Sequence, residues 1–154
     1  MMNYSELIKQ VGQLLWSVTP EDALIIRMQG SVYELNSGGV VTFILKVNER
    51  ESWFDFEDPR NQIVSDILKI IEEYKKSTDK LHESWSHFEV ELSELGKIKV
   101  NFAYIPEDDS WAGLYMKGVS DLTREEAKAN YIPEKDWADR VKKYKGCPVQ
   151  TSKR

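Results

Sequence analysis

The stretch from Glu83 to Tyr104, E-S-W-S-H-F-E-V-E-L-S-E-L-G-K-I-K-V-N-F-A-Y, constrains the fold of this chain more than any other. Phe88, Val90 and Leu92 alternate with Glu89, Glu91 and Ser93, while Ile98, Val100, Phe102 and Tyr104 alternate with Lys97, Lys99, Asn101 and Ala103. Period-two alternation on both sides of a glycine predicts a β-hairpin with one apolar face. A one-residue slip would move a whole apolar set to the wrong side, so the turn length can be tested by parity. A two-residue turn sets Leu92 opposite Lys97 and mixes the faces. A three-residue turn, Glu94-Leu95-Gly96 with Gly96 left-handed, pairs Leu92 with Ile98, Val90 with Val100 and Phe88 with Phe102. The same register sets Glu91 opposite Lys99, a favourable cross-strand pair.

A chain of 154 residues is expected to form one domain, here residues 1–145, with a frayed tail over 146–154. No run of about 18 apolar residues is present, which excludes a spanning helix. Met1 to Gln10 lacks a basic region followed by an apolar core, so no secretion signal is read and a cytoplasmic location is expected. The lone Cys147 has no partner for an internal disulfide. Charge is distributed unevenly. Arg140, Lys142, Lys143, Lys145, Lys153 and Arg154 lie in the last 15 residues without an acid among them, so the rest of the chain holds 15 basic groups against 26 acidic, a balance of −11 behind the formal −5. An acidic body disfavours nucleic acid and suits a basic partner, and it also favours solubility.

Taken in order, Leu7, Val11, Leu14 and Leu15 make the apolar stripe of a helix over Asn3–Trp16, capped by Asn3 and ended by Thr19-Pro20. Asp22 to Leu35 reads as strand, with Gly30 marking a bulge or turn. Asn36-Ser37-Gly38-Gly39 is a tight turn; with strand rather than helix after its glycines, it is not a phosphate loop. A second hairpin is expected from 39–47 and 52–56. Its four-residue turn, Asn48 to Glu51, sets Leu45 opposite Phe54, Phe43 opposite Phe56, Lys46 opposite Trp53 and Ile44 opposite Asp55. Asp58-Pro59 opens a helix, with Ile63, Ile67, Ile70, Ile71 and Tyr74 as its buried stripe, running to about Leu81. Thr123 with Glu126 has capping-box spacing, and Pro133 opens a last helix bearing Trp137, Val141 and Tyr144, basic at its carboxyl end. The order α-βββ-α-ββ-αα predicts an α+β fold: a mostly antiparallel sheet of about five strands with helices on its apolar face and a wet opposite face.

Catalytic chemistry finds little to stand on. Nucleophilic catalysis needs a hydroxyl or thiol beside a base, and the chain has only His82, read as a helix-end residue, and His87. His87, Glu89 and Glu91 share the polar face of one strand and could converge on a divalent metal, or form a solvated face with Glu91 paired to Lys99. Asp58 reads as a helix cap. We expect no catalytic residue, no metal and no cofactor. Two acidic sets each adjoin a tryptophan: Trp53 with Asp55 and Glu57, and Asp108 and Asp109 with Trp111. That combination suits protein binding, in which aromatic anchors supply buried area and carboxylates steer a basic partner.

Glu83, Trp85, Phe88, Gly96-Lys97, Val100, Phe102 and Tyr104 form E-x-W-x-x-F…G-K-x-x-V-x-F-x-Y, which resembles the YezG-type immunity proteins. The likeness covers roughly residues 3–105 by element order, and the segment from Trp111 to Lys145 lies outside it. The resemblance implies an antitoxin that binds the C-terminal toxin domain of a secreted polymorphic toxin, often a nuclease, inside the producing cell, without catalysis. A nuclease carries cations for phosphate, which carboxylates can occupy. The expected contacts are Trp53, Asp55, Glu57, Asp108, Asp109 and Trp111, while Trp85, Phe88 and Phe102 are expected in the core. The competing expectations are an adaptor or small-ligand domain using the mixed sheet face, and a metal-dependent enzyme using His87, Glu89 and Glu91.

Overall fold

The structure is a computed structural model describing residues 2–78 and 85–146. His82, Glu83, the helix end expected near Leu81 and the tail with Cys147 lie outside the described residues. Its central hairpin joins β4 (His87–Ser93) to β5 (Ile98–Ala103) in the register expected from parity, with Phe88 opposite Phe102, Val90 opposite Val100 and Leu92 opposite Ile98. Gly96 sits at φ +80° and its N–H donates to the Ser93 carbonyl at 2.9 Å, which closes the three-residue turn. Three further strands, β1 (Ala23–Val32), β2 (Ser37–Leu45) and β3 (Glu51–Ser52), complete one antiparallel sheet in the order β3-β2-β1-β4-β5.

Two helices cover one face, α1 (Tyr4–Val18) and α2 (Gln62–Thr78). Both start where the sequence caps them. Asn3 Oδ1 accepts the Glu6 N–H at 2.8 Å. Asp58 accepts the Arg60 N–H at 2.9 Å, and Pro59 opens a 3-10 turn, Pro59–Asn61, that runs into α2. Leu7, Val11 and Leu15 of α1 and Ile63, Ile67 and Ile71 of α2 are buried against Ile26, Met28, Val41, Phe43, Phe88, Val90 and Leu92 of the sheet. Each such side chain contributes roughly 1.5–3 kcal/mol by leaving water. Trp85 is also buried there, its ring 4.5 Å from that of the partly buried Phe102. Lys75 ties α2 to the sheet by donating to the carbonyls of Val32 (3.1 Å) and Trp85.

Gly30 is neither bulge nor turn. It pairs in regular ladder with Gly39 and Phe88, and an added Cβ would lie 2.6 Å from the Gly38 oxygen and 2.7 Å from the Phe88 ring. Glycine is there because the Phe88 ring occupies the space a side chain would take. The irregularity in β1 falls instead between Ala23 and Ile25, where Leu24 is the extra residue.

The second hairpin differs from expectation by four residues. Phe43 lies opposite Ser52 and Ile44 opposite Glu51, and the Leu45 N–H reaches the Arg50 carbonyl at 3.0 Å. An even slip keeps side-chain parity, which is why alternation alone could not detect it. The tighter turn is closed by Glu49 at φ 55°, and the chain then leaves the sheet after Ser52. Trp53, Asp55 and Glu57 therefore do not share a strand face.

Apolar residues also gather in a second cluster. After the capping box, in which Glu126 N–H donates to Thr123 Oγ1 (3.1 Å) and Thr123 N–H to Glu126 Oε1 (2.9 Å), α3 (Arg124–Ala129) and α4 (Glu134–Lys145) pack around Leu114, Val119, Leu122, Ala127, Ile132, Trp137 and Val141. Trp137 Nε1 donates to the Leu122 carbonyl at 2.8 Å. Among the described residues, no helix is long and apolar enough to cross a membrane.

Candidate functional site

The loop between β3 and α2 carries three of the six expected contacts. Phe54 turns inward, 5.1 Å from the Phe43 ring and beneath the Arg60 guanidinium at 4.3 Å. Asp58 N–H and Asn61 Nδ2 both donate to the Asp55 carbonyl, at 2.9 and 2.7 Å. Arg60 grips the Asp58 carboxylate through Nε (3.0 Å) and Nη2 (2.7 Å). These side-chain bonds, with the Arg60 N–H, hold the Asp58 carboxyl below its ordinary range. The loop is thus fixed at its base while its tip faces solvent. Trp53 is 67% exposed, Phe56 is 97% exposed, and Asp55 and Glu57 are exposed beside them. Neither carboxylate forms an ion pair among the described residues.

Phe56 was the residue expected opposite Phe43 in the core. Its signal was in the sequence: Asp58-Pro59 commits the chain to a helix start two residues later, which pulls Phe56 out of the ladder.

The second set divides. Asp108 is exposed, but its carboxylate is engaged by Lys143 and Tyr144 of α4, and Arg140 Nε donates to its carbonyl at 2.9 Å. The side-chain bonds from Lys143 and Tyr144 lower the Asp108 pKa. Asp109 is only 3% exposed and accepts from Ser120 N–H (3.0 Å) and Ser120 Oγ (2.6 Å). It cannot serve as a surface contact, because it fastens the turn at Ser120 from inside. Trp111 is half-buried on the second cluster with the Arg140 guanidinium 5.3 Å over its ring. No hydrogen bond, ion pair or ring contact joins this set to the Trp53 loop among the described residues.

The basic end of α4 also finds its counterpart here. Lys143 meets Asp108 and Lys145 meets Asp121 at 2.8 Å, so two of the basic residues at this end are paired with acids of the fold itself.

The polar sheet face is occupied by its own partners. Glu91 stands opposite Lys99 in the ladder, yet its carboxylate takes Arg27 Nε from β1 at 2.8 Å, with Glu51 3.7 Å from the same guanidinium. Glu89 accepts from Gln29 Nε2 at 2.7 Å. A cross-strand neighbour on β1 reaches each carboxylate as readily as one on β5, a choice invisible in the hairpin alone. Among the described residues, no three His, Cys, Asp or Glu side chains are grouped to hold a metal.

His87, at the end of that face, is 2% exposed. Its ring lies 5.8 Å from Tyr33 and 6.5 Å from Tyr115, so the face expected to be wet is covered at this end by the chain itself. Burial first, and the Lys75 charge second, push its pKa down. Ser86 Oγ, 2.9 Å from His87 Nδ1, accepts the Ile105 N–H at 2.8 Å and lies 3.0 Å from the Ile105 carbonyl. This buried hydroxyl links β4 to the chain beyond β5. A cleft of about 240 Å³ adjoins His87, walled by Tyr33, Trp111 and Tyr115.

Comparison with protein-family models and with curated proteins returns no match for this chain.

Proposed function

We propose that this protein is an immunity protein, an antitoxin that acts in the cytoplasm of the producing bacterium. It binds and neutralises the C-terminal toxin domain, in this reading a basic nuclease, of a cognate secreted polymorphic toxin. The observation that carries the reading is the Trp53–Glu57 loop. Two aromatic side chains stand in water on a base held by Asp58, Arg60 and Asn61, with two carboxylates beside them that form no ion pair among the described residues. Exposed aromatic anchors on an ordered backbone lose little entropy on binding, and unpaired carboxylates accelerate encounter with a basic surface. The likeness of the hairpin to YezG-type proteins gives the partner its class. Inhibition of this kind needs no catalytic group and is stoichiometric.

Co-expression with the product of the adjacent upstream reading frame tests the proposal. Survival is expected with the intact protein and is expected to fall when Trp53 and Phe56 are both replaced by alanine. Survival that is no better with the protein than without it would refute the reading.

One observation favours a second reading, a small-ligand-binding domain: the aromatic-walled cleft at His87 has about the volume of a small metabolite. Titration calorimetry against nucleoside and amino-acid panels separates it from the first.

A further inference from the structure

β2 is paired on both sides over only part of its length. On its inner side it runs beside β1 from Ser37 to Leu45, while on its outer side β3 meets only Phe43 and Ile44. The direction of each backbone group follows from the bonds at the strand's end. Lys46 N–H donates inward to the Asp22 carbonyl at 2.8 Å, whereas Leu45 N–H donates outward to Arg50 at 3.0 Å. Alternation then turns the N–H and C=O of the even-numbered residues toward β1 and those of Gly39 and Val41 outward. No backbone bond to another element takes up these outward groups among the described residues.

The other outer strand, β5, carries Lys99 at an exposed position, with Lys97 exposed just before it, a common defence against edge pairing. Ser37 to Thr42 of β2 carries no charge, no proline and two glycines. The undefended edge also opens onto a groove of about 640 Å³ lined by Ser37, Gly38 and Gly39 on one side and by Val64, Leu68 and Glu72 of α2 on the other. Val64 and Leu68 are partly buried apolar side chains at its floor. The base of the Trp53 loop, Asp58 and Pro59, closes one end.

We propose that an extended, basic segment of the partner protein adds as a sixth strand along Ser37–Thr42 of β2. Its alternate apolar side chains lie over Val64 and Leu68, and its lysines or arginines meet Glu72, Asp55 and Glu57. Main-chain bonds to Gly39 and Val41 supply the affinity, and the groove reads alternate side chains. The sign of the segment follows from the charges around the groove: Glu72 and Lys69 line it, and Asp55 and Glu57, exposed and without an ion pair among the described residues, stand on the loop whose base, Asp58 and Pro59, closes its end. A second copy of this chain would bring the same acidic loop against itself. The identity of the partner rests on the inhibitor reading above, but the geometry of the edge does not.

The test is residue-resolved amide exchange with a synthetic peptide, Lys-Lys-Val-Thr-Val-Thr-Val-Lys-Lys, at millimolar concentration. In the free protein, Gly39 and Val41 amides are expected to exchange fast while Val40 and Thr42 are slow. With peptide, Gly39 and Val41 slow by about tenfold or more and Val40 and Thr42 are unchanged. Glu72→Lys, or glutamates replacing the peptide's lysines, is expected to weaken binding by about fivefold. No added protection at Gly39 and Val41, equal binding of the acidic peptide, or protection already present in the free protein and rising with its concentration overturns the proposal. Failure here with cell survival intact removes the strand and leaves the inhibitor; the converse result removes the inhibitor and leaves the strand.

Discussion

Replacing Asp109 by alanine separates a structural acid from a binding one. Its carboxylate accepts two hydrogen bonds from Ser120 in a buried setting, at 3.0 and 2.6 Å. Hydrogen bonds to a charged group contribute about 1.5–3 kcal/mol each, and their loss leaves the Ser120 N–H and hydroxyl without partners, so removal costs roughly 3–5 kcal/mol. Gly118 packs so closely on Asp109 that an added Cβ would collide with its carboxylate, and Gly118→Ala should therefore disturb the same tie. Asp109→Asn keeps one acceptor and is expected to cost about 1–2 kcal/mol. The loss should register in the second cluster, which Trp137 and Val141 of α4 help to form. Amide exchange along α4 in Asp109→Ala should accelerate by about two to three orders of magnitude, while amides of β4 change much less. Unchanged α4 exchange together with weakened partner binding would refute the reasoning and return Asp109 to the surface.

Other perturbations test other parts of the molecule. Reversing both Asp55 and Glu57 to lysine should lower the association rate with the proposed toxin partner by about tenfold and leave thermal stability within about 0.5 kcal/mol, measured by stopped flow and calorimetry. Gly30→Ala should destabilise by about 2–4 kcal/mol in urea unfolding, because its methyl group meets the Gly38 carbonyl and the Phe88 ring. The folded His87 pKa lies below the ordinary 6.5, so the unfolded chain binds the proton more readily. Stability from this residue is present above about pH 6.5 and is lost as pH falls toward the depressed folded value. Tyr33, Tyr115 and Lys75 face the imidazole, and burial raises the pKa of both tyrosines, away from that window. His87→Gln should flatten the dependence in urea melts taken from pH 7 to pH 5.

The antiparallel register of β4 and β5 was legible in the sequence because one buried face and one glycine turn leave a single parity-consistent alignment. The caps at Asn3, Asp58 and Thr123 were legible because capping is settled within four residues. β3 was not, because a slip of four preserves parity, and the decision fell to Glu49 and to the helix start at Asp58. Nor were the partners of Glu91 and Asp109. A carboxylate's choice between Arg27 and Lys99, or between water and Ser120, depends on which segments the fold brings beside it. Local sequence therefore fixes which way side chains alternate and where helices begin. The fold alone decides which charges are spent inside the molecule and which remain exposed, as at Asp55 and Glu57, because desolvation and pairing are set by neighbours distant in the chain.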